Sequence, residues 1–140
     1  MIEEEIIRVH KRLISLCLEL DDGSISQIFI YLFFDGKNTC FKSFYKTKNS
    51  FVLPESSNEP IEIIDRFYQY ANEDLKDLID IYKKYHYEFP VHSLIYYDAI
   101  NQKYETRYYY KKDKEAKIIP DEFFVKWQRK VQKTMRGHLL

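Results

Sequence analysis

Glycine is scarce in this chain: three of 140 residues, at positions 23, 36 and 137. With that set no phosphate loop of the form G-x-x-x-x-G-K or G-x-G-x-x-G can be written. Cysteine is scarcer still. Cys17 falls on an apolar helical stretch and Cys40 in a strand, and neither sits at a helix start beside Arg or His, where a thiolate would be favoured. Both read as free packing thiols, since two cysteines make no disulfide framework. No apolar run approaches the roughly 20 residues that a spanning helix needs. The first residues, MIEEEIIRVHKR, start acidic and carry no small-residue cleavage site, so a cytoplasmic protein is expected.

Catalytic signatures are missing as well. There is no G-x-S-x-G elbow. The four histidines, His10, His86, His92 and His138, are not clustered at metal-ligand spacing, so they read as structural or surface residues. Carboxylates are plentiful, but nothing in the sequence nominates a general acid over its neighbours. The expectation is therefore no catalytic residue, no metal, no cofactor and no enzymatic activity.

What is present is an apolar fraction of 45%, enough for a real core, and a charged fraction of 31%. A length of 140 residues suits one domain, residues 1–140, that hides roughly two thirds of its unfolded surface without a staple. Tyrosine is abundant at 13 and phenylalanine at 10, a texture of aromatic strands and of protein interfaces. Formal net charge is zero, but the zero is a cancellation. Residues 1–98 hold 11 Lys+Arg against 17 Asp+Glu, and residues 99–140 hold 11 against 5.

Residues 2–20 predict a helix, because Ile2, Ile6, Val9, Leu13, Leu16 and Leu20 recur at helical spacing. Glu3, Glu4 and Glu5 suit its positive N-terminal end. Residues 26–34 predict a strand that is apolar on both sides, hence central and covered on both faces. Asp35-Gly36-Lys37-Asn38 is a turn, and residues 39–46 are the returning strand. A short edge strand is expected within residues 50–53. Pro60 is placed to open a helix of about 25 residues, whose stripe is Ile61, Ile64, Tyr68, Ala71, Leu75, Leu78 and Tyr82. Pro90 forbids its continuation. Residues 91–97 and 103–111 form a second hairpin. Pro120 opens a last helix with Phe124, Trp127 and Val131 inward, and Gly137 is placed to end it. The order α-β-β-(β)-α-β-β-α, with two hairpins, predicts an α+β domain: an antiparallel sheet of four to five strands packed by helices.

Two charged rows are candidates for binding. On the long helix Glu62, Asp65, Glu73, Asp77 and Asp80 gather away from the apolar stripe, a landing surface for a cationic partner. A solvated helix face, partly neutralised by Arg66 and Lys76, is the plainer account of the same residues. On the last helix Lys126, Arg129, Lys130 and Lys133 make a basic face, and with tyrosines 108–110 beside it nucleic acid could be gripped and stacked. Dedicated nucleic-acid binders are strongly basic overall, and this chain is neutral, so that reading ranks second.

The layout carries a resemblance. A long first helix leads into an aromatic hairpin. An acidic helix follows, ending FYQYANEDLKDLIDIYKKYHYEFP, then the hairpin VHSLIYYDAINQKYETRYYY and a Pro-started helix, IIPDEFFVKWQRKV. This order and texture, over roughly residues 1–135, resembles the YezG-like immunity proteins, antitoxin partners of secreted bacterial polymorphic toxins. The resemblance implies a cytoplasmic bacterial protein that binds and blocks a toxin domain, often a nuclease, by direct contact and without catalysis. The homo-oligomeric state stays open.

Overall fold

The computed structural model describes residues 1–48 and 50–134, with Asp22 described by its backbone alone. Gly137 and His138 lie outside the described residues, so the expected helix stop at Gly137 does too.

Helix α1 spans Ile2–Leu18 and runs into a 3-10 turn at Leu20–Gly23. Strands β1 (Gln27–Phe34), β2 (Thr39–Lys46) and the two-residue β3 (Phe51–Val52) follow. Helix α2 is Ile61–Lys84, strands β4 and β5 are His92–Asp98 and Lys103–Tyr109, and helix α3 is Pro120–Thr134. The five strands form one antiparallel sheet in the order β3-β2-β1-β4-β5. No helix among the described residues is long and apolar enough to cross a membrane.

The two-sided pattern of β1 decides the architecture. Side chains alternate across a strand, so a strand apolar on both sides must be covered twice. Ile28, Ile30 and Leu32 face a core built with α1 and α2. Phe29, Tyr31 and Phe33 face a second core closed by Phe123, Phe124, Trp127 and Val131 of α3. The sheet thus lies between two helices on one face and one on the other. Both hairpin turns are held by a carboxylate. Asp35 Oδ1 accepts the amides of Lys37 and Asn38, and Asp98 Oδ1 accepts those of Ile100 and Asn101.

Details depart from the periodic reading. The buried face of α1 takes in His10, Ile14 and Cys17, while Ile6 and Leu16 are only partly covered. Ile61, expected at the head of the α2 stripe, is 68% exposed, because the first turn of α2 adds nothing to the core until Ile64. Pro60 is the residue before the helix rather than its first turn.

Burial of His10 has a measurable cost. Its Nδ1 lies 2.6 Å from the Tyr104 hydroxyl, and burial pushes its imidazole from an ordinary 6.5 down to about 4. Between those values the unfolded chain binds a proton that the folded chain refuses, so stability falls as pH drops through that window. The expected loss is on the order of 3 kcal/mol, read as a falling urea midpoint. His92, also held down by burial, acts in the same direction. His10→Asn keeps an acceptor near the Nδ1 position and is expected to flatten the His10 part of the profile. A wild-type and an Asn profile of equal slope would refute this account.

Candidate partner-binding site

Helix α2 turns its apolar side to the sheet, so its polar side looks outward by construction. At 100° per residue Glu62, Glu73 and Asp80 fall in one row, within about 20° of each other and opposite Ala71. The row is about 27 Å long at 1.5 Å per residue. Asp65 and Asp77 flank it, as do Arg66 and Lys76. All five expected residues, Glu62, Asp65, Glu73, Asp77 and Asp80, are exposed.

One of the five is not free. Arg12 of α1 reaches across to α2, where its Nη2 meets Asp77 Oδ2 at 2.9 Å and Asp74 Oδ1 at 3.0 Å. Arg12 is shared between Asp74 and Asp77, so the charge of Asp77 is partly offset within the fold. Its side chain is still 59% exposed. Burial raises the neighbouring Asp74 carboxyl, against the lowering pull of Arg12. Glu62, Asp65, Glu73 and Asp80 make no ion pair among the described residues.

Sequence reasoning missed the cations of α1. Arg8, Lys11 and Arg12 line one wall of a groove whose other wall is Glu73, Asp74 and Asp77. The signal was present, since 8, 11 and 12 are spaced i, i+3, i+4 on an amphipathic helix. Glu5 of α1 binds Lys84 at 2.7 Å and the Tyr85 hydroxyl. With Arg12–Asp77, that pairing sets α1 and α2 antiparallel.

The second charged row has a different setting. Arg129, Lys130 and Lys133 are exposed on the outer face of α3, and Lys126 pairs with Glu122 at 3.2 Å. The tyrosines expected beside this row are divided by the sheet. Tyr109 packs on Phe123 of α3, at 5.3 Å between ring centroids, whereas Tyr108 and Tyr110 line a groove with α1. The arrangement of basic face plus stacking rings is thus not assembled for Tyr108 and Tyr110.

No protein-family model matches the chain. The comparison with curated proteins found no match either. The described residues also hold no group of three His, Cys, Asp or Glu able to bind a metal ion. His92, fully buried, is used internally. Its Nδ1 lies 2.6 Å from the Tyr31 hydroxyl, its Nε2 lies 3.0 Å from the Glu115 carbonyl, and its ring stacks on Phe123 at 4.0 Å. Cys17 is buried, which pushes its thiol up to about 12 and leaves it without nucleophilic character.

Proposed function

We propose that this protein is an immunity protein: it binds a cognate bacterial toxin domain, a cationic nuclease, and neutralises it by direct protein–protein contact. The observation that carries the reading is the outward row on α2. Glu62, Glu73 and Asp80, with Asp65 beside them, are exposed carboxylates on a rigid helix, with no ion pair among the described residues. A nuclease cleft is cationic because it holds phosphate, so a fixed line of anions can occupy it as a mimic of the substrate's charge. The resemblance of the element order to the YezG-like immunity proteins supports the same reading. The order of helices and strands on which that resemblance rests is the order of the fold.

The test is capture from the native host, with the chain as bait and a variant carrying Glu73→Lys and Asp80→Lys as control. One basic protein is expected on the wild-type bait and absent from the control. That protein should arrest growth when expressed alone, and co-expression of this chain should restore it. Capture of no basic protein, or a captured protein with no toxicity, defeats the proposal.

A further inference from the structure

The sheet has two edges of unequal length. Strand β3 has two residues and offers little ladder. Strand β5 has seven, lies last in the order, and among the described residues has no strand on its outer side. A sheet edge of that length offers its main-chain N–H and C=O groups as a template for another chain.

A groove of about 480 Å³ opens between β5 and the first half of α1. Tyr104 and Tyr108 of β5, Tyr110 just beyond it and Tyr82 of α2 supply phenol rings. Tyr104 is held in place by the contact of its hydroxyl with His10 Nδ1. Ile2 and Ile7 give an apolar wall, and Tyr87, 60% exposed, also lines the groove. Two carboxylates, Glu3 and Glu88, complete the lining, both exposed and without an ion pair among the described residues. No Lys or Arg among the described residues lines the groove.

An apolar wall, phenol faces and two carboxylates match one kind of side chain. A lysine or arginine lays its alkyl stem on the isoleucines and its charged head over the rings, toward the carboxylates. We infer that β5 accepts an extended, lysine- or arginine-bearing segment of a partner protein as a sixth strand, with the cationic side chain seated in the tyrosine groove. Strand addition takes its affinity from main-chain bonds and its specificity from alternate side chains in such pockets. A second copy of this chain fits the charge poorly. Its own β5 would turn Tyr104, Thr106 and Tyr108 to that side, bringing no cation and gathering the Glu3 and Glu88 carboxylates of both copies along one seam. The inference stands apart from the α2 row, which uses other residues.

The probe is a synthetic peptide of about seven residues alternating lysine and valine, with a glutamate–valine peptide as its control. Both are titrated into isotope-labelled protein, followed by amide shifts and hydrogen exchange. The lysine peptide is expected to shift and protect amides across residues 103–109. Glu3→Gln with Glu88→Gln, and separately Tyr87→Ala, are each expected to weaken it about tenfold. The variant Glu73→Lys with Asp80→Lys is expected to bind the peptide as the wild type does, so this inference and the toxin reading fail separately. Unmoved β5 amides, an equal response to the glutamate peptide, or a β5 already protected in a sample that sediments as a dimer would each overturn it.

Discussion

Phe44→Ala is expected to remove about 3–5 kcal/mol of folding stability. Phe44 is fully buried on the α3 face of β2. Its ring lies parallel to Phe29, with 4.5 Å between centroids, and edge-on to Trp127 at 5.3 Å. Deleting it removes apolar transfer energy and leaves a cavity that Phe29, Phe124 and Trp127 can fill only by shifting. The loss is a large fraction of the roughly 5–15 kcal/mol that holds a domain together. Trp127 is the only tryptophan, so its emission reports the site directly. The variant should show a lower urea midpoint and red-shifted tryptophan emission in the native state. Phe44→Leu keeps most of the volume and should lose less than half as much. A variant with unchanged midpoint would mean that α3 does not cover this face.

That double covering could be read from residues 26–34, since a strand apolar on both sides has no other stable setting. The hairpins were equally legible, because Asp35-Gly36 and Asp98 with Asn101 write their turns locally. Which helix covers which face was not. Helices α1 and α3 both carry a single apolar stripe, and a stripe does not state which sheet face it meets. Nor could the pairing of β1 with β4 be read, because it joins residues about 60 to 70 positions apart. The candidate site was half legible for the same reason. The row Glu62, Glu73, Asp80 follows from helical spacing within one element. The capture of Asp77 by Arg12 is a contact between elements 65 residues apart, invisible to any local pattern. The tyrosine groove draws on α1, α2 and β5 together, so its residues read one by one as ordinary strand and core tyrosines.

The same division says which substitutions should disturb binding and which should disturb the fold. Glu73→Lys with Asp80→Lys replaces two exposed anions that make no ion pair among the described residues by a good helix former, so the thermal midpoint should hardly move. Against a cationic toxin domain the new lysines face like charge, which costs several kcal/mol. Affinity is expected to fall about a thousandfold, or about 4 kcal/mol. The association rate should fall along with it, because the row also steers the encounter, and raised salt should mimic part of that loss in the wild type. Asp77→Asn is the matched control. It removes a carboxylate whose charge Arg12 already offsets in part, so it should weaken the α1–α2 contact by about 1 kcal/mol or less while leaving affinity within about threefold. Equal affinity of the wild type and the double lysine variant in calorimetry would move the interface off α2 altogether. A loss at Asp77→Asn as large as that of the double variant would show that the α1–α2 groove, with Arg8 and Lys11 on its far wall, is the surface the partner reads.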